Sequence, residues 1–273
     1  MSKKYIYLMG GLGNVLFQLN KAFELEQKGY KVFVSTLLFQ RSWLLSKILG
    51  WSDHGTLGTL KELGLMSNFD KFQGSTIDLI LLFISKKTNK CIFSRKYVGH
   101  HEENQQCSVL MGYFSSEAVI GENFSTYVKD CLNLVKESRY RFTSSLTKTL
   151  EESVVLHFRG GDYFDNNVFT QAQYYNQIIS KHSSIAVVTN DNKRFEEYML
   201  NNFPNNKYQI ISNGDMIHDF FVLMSAKKIA CANSTFSWWA AELGESEIVF
   251  EPKIYFNHLQ QWSPRSNKQR EKI

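Results

Sequence analysis

The chain has 273 residues, 43% apolar, 21% charged and 14% aromatic, and 31 Lys and Arg against 26 Asp and Glu leave a net charge of +5. That profile excludes disordered and fibrous classes and allows one large domain or two compact halves. The mild positive balance suits a small polyanionic ligand or an anionic surface, and it is too weak to argue for nucleic acid.

Cys91, Cys107, Cys131 and Cys231 stand far apart with no C-x-x-C pair, which excludes a zinc knuckle and a thioredoxin-type motif and leaves buried free thiols as the reading. The apolar run behind Lys3-Lys4 ends at Gly10, too short for a signal-peptide core. Ile77 to Ile84 is interrupted by Asp78 and closed by Lys86-Lys87, so it cannot span a bilayer. A reducing cytosol is the expected setting.

In chain order, Tyr5 to Leu8 reads as a strand and Gly10-Gly11-Leu12-Gly13 as a tight loop. Val15, Leu16, Leu19, Ala22 and Phe23 then recur at helical spacing, Gly29 ends that helix, and Lys31 to Ser35 is a second strand. This order opens a parallel α/β unit. From about Leu37 to Leu110 the periodicity is mixed and supports only helices and connections, while Ser138 to Thr149 reads as a helix or a boundary.

From Ser153 the alternation is regular. Strands are expected at 154–158, 185–189, 208–211, 229–232 and 248–250, and helices at 171–180, 192–202, 215–226 and 235–243, with Asp191 as an N-cap. The fold class is therefore α/β, with two Rossmann-like halves facing a cleft. Residues 1–150 form the first half and residues 151–273 the second, and the tail from Gln260 reads as a polar surface segment.

In open parallel sheets, ligands bind beyond the carboxyl ends of the strands and at helix N-termini. Three segments place unusual residues there. Gly10-Gly11-Leu12-Gly13-Asn14 is either a structural turn or a ligand loop; Leu16 replaces the third glycine of a dinucleotide fingerprint, and the second strand ends in Ser35 rather than an acid. His157-Phe158-Arg159-Gly160-Gly161-Asp162-Tyr163 carries a strand out into a glycine turn. His157 alone reads as a core histidine, whereas Arg159 at that exit suits a diphosphate clamp, and Asp162 fixes Arg159, orients His157 or acts as a base. Asn233-Ser234-Thr235-Phe236-Ser237-Trp238-Trp239 opens a capped helix, which does not exclude a phosphate at the same end. The chain has no P-loop, no H-E-x-x-H, no G-x-S-x-G and no D-x-D motif for a metal-bound diphosphate.

These segments resemble the α-1,2-fucosyltransferases of glycosyltransferase family 11. The family's G-G-L-G-N-Q-M-F-Q resembles Gly10 to Gln18, its H-x-R-R-G-D-Y resembles His157 to Tyr163, and its N-S-T-F-S-W-W-A-A is matched without change from Asn233 to Ala241. Weaker echoes are Gly112-Tyr113-Phe114 with Ser116-Glu117, Thr189-Asn190-Asp191, and Asp219 ahead of Leu223-Met224-Ser225. The resemblance implies a GT-B-type fold and metal-independent, inverting transfer of fucose from GDP-fucose to the 2-hydroxyl of a galactose. The acceptor would be a bacterial surface polysaccharide or lipid-linked oligosaccharide made on the cytosolic side, with at most peripheral membrane contact.

Carried over, Arg159 neutralises the leaving pyrophosphate; Asp162, by its place near that clamp, is the candidate base or else only orients Arg159. Ser234 and Thr235 hold phosphate oxygens, and Asp219, with His157, takes the guanine. Asn190, Asp191, Asn233 and Phe236 complete the donor site, while Gly11, Gly13 and Asn14 line the acceptor side. No cofactor or metal is expected. The chain departs from the pattern at Gly160, where the family has a second arginine, so a charge-assisted contact of roughly 1.5–3 kcal/mol is expected to be missing. Three rivals follow: a transferase of the same fold using another nucleotide sugar or acceptor, a GDP-sugar-binding protein with little turnover, and a Rossmann oxidoreductase, which the missing glycine and acid argue against.

Overall fold

The computed structural model describes residues 2–39, 55–71, 92–93, 109–115, 118–160, 172–253, 264, 266 and 268–273. They divide into two compact units, one running up to Leu132 and taking in Pro264, the other made of the remaining residues from Asn133 onward.

In the first unit, β1 (Lys3–Tyr7) leads into α1 (Leu12–Gln27) and then β2 (Lys31–Ser35), the order the sequence predicts, except that α1 takes in Leu12 and Gly13 of the expected loop. α1 ends in a Schellman turn: Gly29 takes φ +83°, its N–H donates to Glu26 O, and the N–H of Tyr30 donates to Leu25 O. Among its described residues the mixed stretch holds a 3₁₀ turn at Leu37–Phe39, α2 (Thr56–Glu62), and the short strands β3 (Asp70–Lys71), β4 (Ile92–Phe93) and β5 (Val109–Met111). The sheet order is β3-β2-β1-β5-β4, every neighbouring pair parallel. α3 (Glu122–Arg139) buries Phe124, Val128 and Leu132 at four-residue spacing, and Phe124 meets Phe23 of α1 with ring centroids 5.8 Å apart. The division between the units falls within this helix.

The ambiguous stretch around residue 140 is a helix break. α4 (Ser144–Glu152) starts where the Thr143 hydroxyl accepts from the N–H of Leu146. The second unit continues with β6 (Val154–Phe158), α5 (Ala172–Lys181), β7 (Ile185–Thr189), α6 (Asn192–Asn202) and β8 (Tyr208–Ile210). It closes with α7 (Met216–Ser225), β9 (Lys228–Ala230), α8 (Thr235–Leu243), β10 (Ile248–Glu251) and β11 (Glu271–Lys272).

The order β11-β10-β9-β6-β7-β8, all parallel, is the doubly wound Rossmann arrangement. β6 and β7 are buried at every residue, which is why they read as unbroken apolar runs. Val154, Leu156 and Phe158 pack on Tyr174, Tyr175, Ile178, Phe195 and Met199 of α5 and α6. Alternation along β6 therefore turns His157 the other way, towards α8. Each unit, taken by itself, is the Rossmann-like half expected.

The tail departs from expectation. Its last residues form β11 on the edge of β10, and the N–H of Ile273 donates to Glu251 O. The Arg270 side chain is buried, held by Glu242 and Glu251, because the two carboxylates supply the counter-charge that lets a guanidinium leave water.

Candidate functional site

A Rossmann sheet changes direction at one place, here between β6 and β9, and ligands of such sheets bind beyond the strand ends at that switch. The last registered pair is Leu156 with Ala230. Three residues further on stand Arg159 on one segment and Asn233 on the other, so the histidine–arginine exit and the Asn-Ser-Thr turn share one edge of the sheet.

The turn after β9 is tightly tied. Asn233, Ser234 and Thr235 are buried. The Ser234 hydroxyl accepts from the N–H of Phe236 at 3.3 Å and caps α8, and the Ser234 N–H donates to Ala232 O. Ser237 closes the loop from inside: its hydroxyl accepts from the N–H of Ala232 at 3.1 Å and donates to Ser234 O. The amino end of α8 thus faces the switch with about half a unit of positive dipole charge.

His157 is only 4% exposed, and its ring lies 5.7 Å from that of Phe236 in the first turn of α8. Burial, with the positive charge of Arg159 second, pushes its pKa down to about 3, so the imidazole is neutral at physiological pH. Its Nδ1 is buried without a hydrogen-bond partner among the described residues. Leaving such an atom unsatisfied costs roughly 1–3 kcal/mol. The core histidine of the sequence reading is therefore a core residue that keeps one polar atom unused at the switch. Arg159, one residue beyond the strand, is half-buried.

The turns after β6 and β7 are fastened together. The N–H of Gly160 donates to Asn190 Oδ1 at 3.0 Å, and a Cβ on Gly160 would lie 2.5 Å from the Cβ of Asp191. Asp191 is held there: its N–H donates to Thr189 Oγ1, its Oδ1 accepts from the N–H of Arg194, and its Oδ2 lies 3.4 Å from Arg194 Nε. Thr189 is tied in turn to the next strand exit, its N–H donating to Ser212 Oγ. The departure at Gly160 thus has a steric side, because Asp191 fills the space a side chain there would need.

Asp219 lies in the first turn of α7, behind the Asp215 N-cap. Burial raises its pKa, opposed by hydrogen bonding to His218, whose Nδ1 lies 3.4 Å from Asp219 Oδ1. The adjacent Phe220 packs on Phe236 at 5.1 Å, so the first turns of α7 and α8 meet through the rings and His157 adjoins the same ring. Asp219 itself engages His218 and the Asn213 N–H. Gly161, Asp162 and Tyr163 lie outside the described residues, as do Ser116 and Glu117.

The glycine loop sits at the corresponding strand edge of the first unit. Gly10 takes φ +82°, Gly11 is the N-cap of α1, Gly13 is buried in the first turn and Asn14 half-buried. A Cβ on Gly10 would meet Asn14 Nδ2 at 2.8 Å and Tyr113 at 3.0 Å, so the loop and the Gly112-Tyr113-Phe114 echo are neighbours. Gln18 fixes the loop: fully buried, it accepts from the Met9 N–H and donates to Met9 O, both at 2.9 Å. Motif membership was its only sequence signal. Among the described residues no three His, Cys, Asp or Glu side chains gather as metal ligands, and no helix is long and apolar enough to cross a membrane.

The second unit is thus a Rossmann-type half whose buried histidine, arginine and capped helix start meet at the position where such sheets bind nucleotides. Along nearly its whole length the chain is a distant relative of a glycosyltransferase: it is 23% identical to the O-antigen biosynthesis glycosyltransferase WbnK of Escherichia coli over 295 residues, which cover 92% of this chain and 94% of that protein. Among solved structures it is similar to POFUT1 in complex with GDP, at 12% identity and a TM-score of 0.37, covering 94% of this chain and 99% of that one. No family model matches the chain.

Proposed function

We propose that this protein is a fucosyltransferase of the GT-B type that moves fucose from GDP-fucose to the 2-hydroxyl of a galactose in a surface glycan, with inversion and without a metal, at the cytosolic face. The observation that carries the reading is the buried, neutral His157, its Nδ1 without a partner among the described residues, set beside Arg159 and against the first turn of α8. A neutral imidazole offers a hydrogen bond and not a charge, so the charge of a diphosphate falls to Arg159 and to the helix. The resemblance of the motifs and the distant glycosyltransferase relative support the same class.

In this reading the acceptor oxygen attacks the anomeric carbon as the bond from that carbon to the diphosphate oxygen breaks. Negative charge grows on the departing GDP, where Arg159 and the amino end of α8 stabilise it more than in the ground state. Asn233, Ser234, Thr235 and Phe236 shape the phosphate end, Asn190 and Asp191 line the neighbouring turn, and Asp219 serves the base. Asp162 takes the acceptor's proton. Gly11, Gly13 and Asn14 serve the acceptor. Removing Arg159 as Arg159→Ala should lower transfer by about 10²–10³-fold with the fold retained. Turnover near that of the unchanged protein would remove Arg159 from the mechanism.

A second reading, a GDP-sugar-binding protein with little turnover, draws on Gly160, which gives this turn a single guanidinium. Calorimetric binding of GDP with no fucose transfer to any galactosyl acceptor would favour it. Stabilisation by UDP in place of GDP would instead point to another nucleotide sugar.

A further inference from the structure

The C-terminal arm grips α8, the helix whose amino end faces the switch. The Arg270 side chain is 5% exposed, and the two carboxylates it pairs with, Glu242 in α8 and Glu251 at the end of β10, are 2% and 8% exposed. Its guanidinium lies 2.9 Å from Glu242 Oε2 and 3.3 Å from Glu251 Oε2, and it stacks over the Trp238 ring at 4.6 Å. Nη2 also donates to Trp238 O at 3.4 Å, and Nε donates to Ser266 Oγ at 2.8 Å. The Ser266 hydroxyl donates to Glu242 Oε2, and Lys268 Nζ donates to Gly244 O, the C-cap of α8. The arm therefore holds α8 at Trp238, at Glu242 and at its end.

Trp238 links this grip to the site. Its carbonyl receives Arg270, while its N–H donates to Ser234 O at 3.1 Å. One residue separates the buried guanidinium from the helix N-cap. We propose that Arg270 is a positioning residue for the donor site: by holding two like charges together, it sets where Ser234, Thr235 and Phe236 stand. The proposal rests on the reading of that site given above. Without the guanidinium, Glu242 and Glu251 face each other in a low-dielectric interior, and their repulsion separates α8 from β10. The first turn of α8 moves with the helix, and the Phe236 ring moves away from His157. A lysine does not reproduce the grip, because a single ammonium lacks the planar fork that reaches both carboxylates and the Trp238 carbonyl together.

The test uses the full chain, with GDP as probe in calorimetry and melting temperature measured alongside. Wild-type protein is titrated first. If it binds no GDP, the donor-site reading fails, and this inference with it. If it binds, Arg270→Lys is expected to weaken GDP by about tenfold or more while the protein stays folded at the assay temperature. Because Arg270→Met alone leaves two buried carboxylates repelling each other, the companion variant combines Arg270→Met with Glu242→Gln and Glu251→Gln; this relieves the repulsion and should recover melting temperature, but no fork then ties the two side chains to the Trp238 carbonyl, so GDP affinity should stay low. GDP affinity equal to wild type in both folded variants would make Arg270 a stabilising residue only and overturn the proposal.

Discussion

The neutral, buried His157 makes a prediction about stability that needs no substrate. Its pKa falls from an ordinary 6.5 to about 3 in the folded chain, mostly by burial. The group is a base whose folded pKa is depressed, so between those values the unfolded chain binds the proton and the folded chain does not. Stability is fully present above pH 6.5 and is lost as pH falls, by about 1.4 kcal/mol per unit, until pH 3. Between pH 7.5 and pH 5 this one residue should remove about 2 kcal/mol. Other titrating groups change over the same range, so the assay is a comparison. Urea unfolding of the wild type and of His157→Phe is followed at several pH values, using a signal from the second unit, and only the difference in stability is read. The wild type should lose about 2 kcal/mol more than the variant on acidification. Parallel profiles for the two proteins would show that His157 binds its proton alike in the folded and unfolded chains and would refute the reasoning.

Gly160→Ala should destabilise by about 1–3 kcal/mol in thermal or urea unfolding, since the new methyl lands on Asp191. In combination with Asp191→Gly the alanine should cost less than it does alone, and strict additivity in that double-mutant cycle would contradict the contact. Gln18→Leu leaves the buried N–H and C=O of Met9 without their partner and should cost about 2 kcal/mol or more, read as a lower urea midpoint.

The second unit was legible in the sequence because its central strands are buried on both faces and its turns carry local signals. Val154 to Phe158 and Ile185 to Thr189 are unbroken apolar runs, and Asp191 caps its helix through its own side chain. The tail was not legible. Arg270 finds Glu242 and Glu251 from 28 and 19 residues away, and a basic, polar run carries no periodicity that would announce a buried partner. Strands β3 and β4, of two residues each, are too short for any alternation to show. His157 was legible only in half: the strand pattern buries it, but no pattern tells that its Nδ1 has no partner among the described residues.

The crowding at Gly160 also bears on how such a turn changes over time. A turn that has closed onto the β-carbon of Asp191 acquires a side chain only at a cost in stability, because the smallest addition already collides. Asp191 must shift or shrink first, and it shifts only by giving up the cap of α6. The residue at 160 and the residue at 191 are thus a coupled pair, and an exchange at one calls for a compensating exchange at the other.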